Sequence, residues 1–191
     1  PPVSAGEGYY VVRIEDALGT SLASFANAAG SATFQLGVAL AGTYHVRVGV
    51  SNQYNHYSNP SSYSLAANFV AGSTAGFETE SNDTRATADA ASLGGAMTGD
   101  LSVRADVDYY SVALTSSGVL GLTFARPADR YPGYYRISVE DSAGTRLASF
   151  TDSNGPFNML TGLGTAGTYF VRVENTDPNG VMDQGQYSLA F

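Results

Sequence analysis

Apolar residues along this chain recur at every second position and not at helical spacing, in short runs bounded by Gly, Asp and Asn. Tyr135, Ile137 and Val139 share one face of such a run, and Tyr169, Val171 and Val173 share a face of another. Tyr10, Val12 and Ile14, then Tyr44, Val46 and Val48, repeat the pattern nearer the N-terminus. These runs predict strands, and the four trios are the expected core faces. Asp108 to Leu114 and Val119 to Phe124 read as two further strands. Glu15-Asp16-Ala17-Leu18-Gly19 and Glu140-Asp141-Ser142-Ala143-Gly144 carry the Asp and Gly that a tight antiparallel turn prefers. Only the Ala-rich stretch from Thr84 to Leu93 offers a short helical turn. Many short strands with Gly-rich turns predict an all-β fold, an antiparallel β-sandwich of jelly-roll-like type.

The pattern is duplicated. Residues 8 to 25, GYYVVRIEDALGTSLASF, align without a gap to residues 133 to 150, GYYRISVEDSAGTRLASF, with eleven of eighteen positions identical at an offset of 125. The offset holds for AGTYHVRV at 41 to 48 against AGTYFVRV at 166 to 173, and slips by one at Tyr63-Ser64-Leu65-Ala66 against Tyr187-Ser188-Leu189-Ala190. Two segments this alike are expected to share one fold. The second copy has additional strand-like sequence from Glu78 to Phe124 that the first copy lacks. The expected organisation is a truncated first repeat over 1–70, a linker over 71–77 (AGSTAGF) and a complete second sandwich over 78–191. A back half alone exposes an apolar sheet face and an unpaired strand edge. Either a longer parent chain supplies the missing front half, or a partner surface covers the first copy.

Composition narrows the function classes. Seventeen acidic residues against nine basic ones, all Arg, give a net charge of -8. A negative surface repels nucleic acid and anionic membranes, so no nucleic-acid partner is expected. No apolar run approaches the roughly 20 residues of a membrane-spanning helix, so no membrane insertion is expected. The chain has no Cys, which removes disulfides, thiolate nucleophiles and Cys-ligated metal together. It opens at Pro1-Pro2-Val3 without the basic segment and apolar core of a signal peptide, as a mature or excised sequence does.

Catalysis finds little support. His45 lies on a strand at the place of Phe170, facing away from Tyr44 and Val46, and His56 lies in the polar stretch 51–58. There is no His-Glu-x-x-His, no Gly-x-Ser-x-Gly elbow and no phosphate-binding Gly-Lys loop, so no enzyme activity is expected. Paired carboxylates at Glu15-Asp16 and Glu140-Asp141 recur at one turn, which argues for structure. Tyr is large, stiff and able to donate a hydrogen bond, as recognition surfaces require. The candidate ligand contacts are Tyr9, Tyr131 and Tyr134 beside the repeated strand, with Tyr54, His56 and Tyr57 in the polar stretch. Strands also favour aromatics for packing alone.

In order along the second copy stand Glu78-Thr79-Glu80-Ser81-Asn82-Asp83-Thr84, Asp106-Val107-Asp108-Tyr109-Tyr110, Ala166-Gly167-Thr168-Tyr169-Phe170-Val171-Arg172-Val173 and Gln186-Tyr187-Ser188-Leu189. With these four landmarks, residues 78–191 resemble a bacterial pre-peptidase C-terminal (PPC) domain, a small β-sandwich found beside secreted peptidases and in large surface proteins. The first copy carries only the last two landmarks. The similar collagen-binding domains of clostridial collagenases bind calcium through the acidic opening segment and the Asp-containing strand. That resemblance implies Ca2+ at Glu78, Glu80, Asn82, Asp83, Asp106 and Asp108, a set of oxygen donors of the kind Ca2+ requires. Where those members have a further acidic ligand three residues ahead of the Asp-Tyr pair, this chain has Ala105. Glu-x-Glu followed by Asn-Asp also suits a solvated linker with a turn or cap. A second candidate loop, Asp177-Pro178-Asn179-Gly180-Val181-Met182-Asp183, has oxygen ligands around a Gly without complete calcium-loop spacing.

The resemblance implies a secreted, extracellular or cell-surface location and a non-catalytic accessory module whose partner is a protein or polysaccharide surface. Two other readings stand beside it. One is a structural subunit of an adhesin or extracellular filament, completed by strand addition from a neighbouring subunit. The other is a calcium-rigidified spacer without a ligand.

Overall fold

A computed structural model of the chain describes residues 9–27, 31–51, 62–103, 105–127, 135–152, 156–176 and 185–191. Among the described residues there are twelve strands and no helix. The first three, β1 (Tyr9–Glu15), β2 (Ser21–Asn27) and β3 (His45–Ser51), form an antiparallel sheet in the order β2-β1-β3. The remaining nine are β4 (Asp89–Ala90), β5 (Ala96–Gly99), β6 (Val107–Leu114), β7 (Gly118–Ala125), β8 (Tyr135–Glu140), β9 (Arg146–Thr151), β10 (Phe157–Leu163), β11 (Gly167–Asn175) and β12 (Tyr187–Ala190). They make a four-stranded sheet, β10-β7-β12-β5, and a five-stranded sheet, β4-β6-β11-β8-β9. All these pairings are antiparallel except β4 with β6.

The inner faces of these two sheets close a sandwich. Tyr110 and Val112 of β6, Tyr135, Ile137 and Val139 of β8, and Tyr169, Val171 and Val173 of β11 meet Leu120, Leu122 and Phe124 of β7, Met159 of β10, and Tyr187 and Leu189 of β12. Phe124 and Tyr135 pack across the core with ring centroids 5.3 Å apart. Period-two burial along β6, β10 and β12 is the reason these segments are strands: each places alternate apolar side chains into the interior. The stretch from Thr84 to Leu93 holds no helix. Its start is one turn closed by Thr87 N donating to Thr84 O at 3.1 Å, and β4 then runs parallel to β6. Thr hydroxyls bonded locally at this turn, together with an available edge on β6, outweigh the helical propensity of the Ala residues.

The two copies keep one register. Val12 pairs Phe25 and Val48, as Ile137 pairs Phe150 and Val173, and each first pairing carries an irregularity just before its Glu, at Ile14/Glu15 and Val139/Glu140. The turns match atom for atom. Asp16 Oδ1 accepts from Leu18 N and Thr20 N at 2.8 Å each, Asp141 Oδ1 accepts from Ala143 N at 2.9 Å and Thr145 N at 2.8 Å, and Gly19 and Gly144 take φ of 84° and 87°. A β-carbon is strained at that φ, so Gly is the residue that fits. Those backbone donors hold both aspartates below the usual carboxylate range.

The copies differ in what covers them. Strands β8, β9 and β11 pair among themselves and with β6, and their counterparts β1, β2 and β3 form a sheet. Among the described residues, strands β10 and β12 pair only with β7 and β5, and their counterparts at 32–38 and 63–66 pair with no equivalent of β5 or β7 and form no strand. Burial follows. Val171 is 0% exposed while Val46 is 43% exposed; Tyr187 is 1% and Tyr63 58%; Leu189 is 0% and Leu65 49%. The expected core face of the first copy is therefore only partly a core: Tyr10 is buried, Val12, Ile14, Tyr44 and Val48 are half-buried, and Val46 is exposed.

This asymmetry is measurable. Leu189→Ala is expected to destabilise the second sandwich by about 3 kcal/mol through lost burial and a cavity, whereas Leu65→Ala is expected to change stability by less than about 0.5 kcal/mol. Denaturant melts of both variants check the pair, and equal effects would show that Leu65 is as enclosed as Leu189.

Candidate metal centre

An acidic pocket lies where the segment entering the sandwich meets β5, β6 and β12. Residues 77–79 run beside β5 after a turn at Gly76, held by Thr98 N donating to Gly76 O at 2.8 Å and Glu78 N donating to Thr98 O at 3.0 Å. Alternation along an extended segment turns Glu78 and Glu80 to the same side. Asp108 sits on the inward face of β6, one step before Tyr110, at a position whose strand partner is Val173. One ligand oxygen each from Glu78, Glu80 and Asp108 lie within 4.8 Å of one another. Such a group can hold a metal ion.

The surroundings are polar and enclosed. Tyr187 Oη donates to Asp108 Oδ2 and lies 2.6 Å from Tyr110 Oη, which is 3.5 Å from Glu78 Oε2. Asp100 N donates to Glu78 Oε1 at 2.6 Å. Gly99 completes this wall, because a β-carbon there would overlap the Tyr187 ring and lie 2.6 Å from Glu78 Oε2. Asn82 is buried, its Nδ2 donating to Asp89 Oδ2 at 3.0 Å. Asp106 is buried and accepts from Ser102 N. Asp83 is exposed, and its Oδ1 accepts from Val107 N at 3.3 Å at the start of β6.

Three side-chain oxygens here, Glu80 Oε1, Asn82 Oδ1 and Asp108 Oδ1, are buried without a hydrogen-bond partner. A buried acceptor without a donor costs on the order of 1–3 kcal/mol, more for a charged group. Among the described residues no Arg forms an ion pair with Glu78, Glu80 or Asp108. Burial, then the charges of neighbouring carboxylates, pushes Glu78 and Asp108 well above the usual carboxylate range. Burial together with Asp106 and Asp83 pushes Glu80 up to about 8. Burial raises Asp106 to about 6 against the donors of Ser102 and Val103, with Asp83 adding to the rise. The arrangement is an anionic pocket short of positive charge. Its donor set is all oxygen, which suits a hard cation.

The first copy abuts the same place. Ser24 N of β2 donates to Asp100 Oδ2 at 2.9 Å, and Gly37 bridges to Thr79. A β-carbon at Gly37 would lie 2.6 Å from Glu78 O, so this approach requires Gly.

Sequence reasoning missed Asp89, Gly99, Asp100, Tyr110 and Tyr187 as parts of this pocket. Asp89 accepts from Thr79 N at 2.8 Å and from Thr79 Oγ1 at 2.5 Å, holding the acidic segment to β4. Tyr110 and Tyr187 stood within the landmarks of the resemblance, and their pairing with carboxylates was the signal available. Of the Tyr and His residues expected to contact a ligand, Tyr54, His56, Tyr57, Tyr131 and Tyr134 lie outside the described residues, as does the side chain of Tyr9. The candidate loop from Asp177 to Asp183 also lies outside them. His45 is exposed at the start of β3.

No family model matches this chain, and no curated protein matches it. Among solved structures, the chain is similar to the pre-peptidase C-terminal domain of a collagenase from Bacillus anthracis, at 16% sequence identity and a TM-score of 0.45, covering 54% of this chain and 92% of that one.

Proposed function

We propose that this chain is a non-catalytic accessory β-sandwich module of a secreted or cell-surface protein, braced by Ca2+. The ion would be held by Glu78, Glu80, Asn82, Asp106 and Asp108, with Asp83 adding its charge from outside. The observation that carries this reading is that Glu80 and Asp108, grouped with Glu78, each keep a buried oxygen without a hydrogen-bond partner, as does Asn82 two residues beyond Glu80. Six to eight oxygens at flexible geometry are what Ca2+ takes, and carboxylates with a carboxamide supply them without His or Cys.

Ca2+ supplies positive charge that offsets the mutual repulsion of the carboxylates. The chain's own residues do the rest. Glu78 and Glu80 commit the entering segment to the site, Asp106 and Asp108 anchor it to β6, and Tyr187 and Tyr110 close its inner wall. A filled site ties the segment at 76–82 to the sandwich, and through Asp100 and Thr79 it steadies the first copy beside it.

Terbium luminescence tests the reading, because Tyr110 and Tyr187 lie close enough to act as antennae. Tyr excitation is expected to sensitise bound Tb3+, Ca2+ is expected to quench the signal by competition, and Glu78→Gln is expected to abolish most of it. An absence of both sensitised emission and any heat in a Ca2+ titration would overturn the proposal.

A further inference from the structure

The sheet of the first copy ends at β3, whose outer edge pairs with no strand among the described residues. In the second sandwich the corresponding edge, on β11, pairs with β6 from Gly167 opposite Leu114 to Glu174 opposite Val107. The inner face there is covered by β5, β7 and β12, whereas Val46, Val50, Tyr63 and Leu65 of the first copy are exposed. Exposed apolar side chains beside an open strand edge mark an interaction surface.

The molecule itself shows what fits that surface. Register, turn chemistry and the paired irregularities are the same in both copies, so β3 presents the backbone and side-chain pattern that β11 presents to β6. Even the tyrosine that locks the preceding loop is kept. Tyr44 Oη donates to Leu40 O at 2.5 Å, and Tyr169 Oη donates to Thr165 O at 2.9 Å. A generic apolar surface would cover the face but leave the edge of β3 unpaired. A second copy of this chain has its own front half already engaged in its second sandwich.

We infer that β3 and the open face of the first copy are an acceptor for one occupant, a front-half segment patterned like residues 78–125. Its β6-like strand pairs antiparallel with β3, placing a Val112-like residue opposite Tyr44, a Tyr110-like residue opposite Val46 and an Asp108-like residue opposite Val48. Its β7-like and β5-like strands flank residues 63–66, which then become a strand as β12 is. Strand addition of this kind takes its affinity from main-chain hydrogen bonds and its specificity from alternate side chains.

The test is the 191-residue chain extended by a duplicate of residues 78–125 joined to Pro1, beside a control whose extension has the same residues in shuffled order. Hydrogen exchange is read at residues 45–51 and 63–66, with β11 of the second sandwich as an internal standard of correct folding. The duplicate is expected to slow exchange at both segments by roughly tenfold or more, and the shuffled extension to leave them unchanged. Val46→Asp in the extended chain is expected to cancel the gain. Unchanged exchange at 45–51 while β11 stays protected would overturn the inference. So would self-association of the 191-residue chain that Val46→Asp abolishes, because the face would then belong to a second copy. Neither readout depends on cation binding.

Discussion

Asp108→Asn is expected to remove the gain in melting temperature that Ca2+ is expected to give the wild-type chain, while leaving the calcium-free protein at least as stable. A ligand that binds only the folded state stabilises it by about 2.7 kcal/mol at one hundred times its dissociation constant. For a chain of this size that is a rise of roughly 7 °C. Asp108 Oδ1 is buried without a partner beside Glu78 and Glu80, so its charge is costly without a cation and useful with one. The amide keeps the shape and still accepts from Tyr187 Oη through its oxygen. It removes one negative charge from a crowded pocket. Thermal melts with saturating Ca2+ and with chelator give the four values required. A variant that keeps the full Ca2+ response would take Asp108 out of the site.

Without added cation, the chain is most stable in mildly acidic solution and loses stability as the pH rises toward about 8. The sign follows from proton linkage. Asp106 is raised from 3.8 to about 6, and Glu80 from 4.5 to about 8, so between those values the folded chain binds more protons than the unfolded chain. Stability from this pocket is fully present below the unfolded values and declines until each folded value is passed. Asp16 and Asp141 act in the opposite sense, but their lowered values place that effect below pH 3.8, outside the window. Ca2+ bound as proposed would compete with protons for the same carboxylates, so saturating Ca2+ is expected to flatten or reverse the decline. Melting temperatures at about pH 5 and about pH 8, with and without Ca2+, check the sign. A chelated protein that melts higher at the alkaline end would refute the pocket as described.

Both predictions rest on a site only half legible in the residues. Glu78, Glu80 and Asp108 were singled out because they matched the landmarks of a family resemblance and because alternate acids on an extended segment aim to one side. Asp83 belonged to the same expectation, yet it faces solvent and meets the backbone at Val107. Asp100 carried no signal at all. It enters because β5 ends beside Glu78, which a register decides and a motif does not. Tyr187 is separated from Asp108 by 79 positions, and no local pattern pairs them.

What the sequence determined by itself is what short-range forces specify. Period-two alternation named the strands, because alternate side chains leave water together. The Asp and Gly of each turn set its geometry, because Asp141 Oδ1 reaches backbone donors only two and four residues away. The duplication showed that both copies share one pairing scheme, and their registers agree. Tertiary structure decided the rest. Residues 32–38 and 63–66 carry the pattern of β10 and β12 but form no strand, because β10 and β12 are held by β5 and β7 and the first copy has no such neighbours among the described residues. A strand needs a partner for its backbone as well as a pattern for its side chains. The acidic pocket likewise exists only where five separate segments are brought together, since the repulsion and burial that define it act between residues distant in sequence.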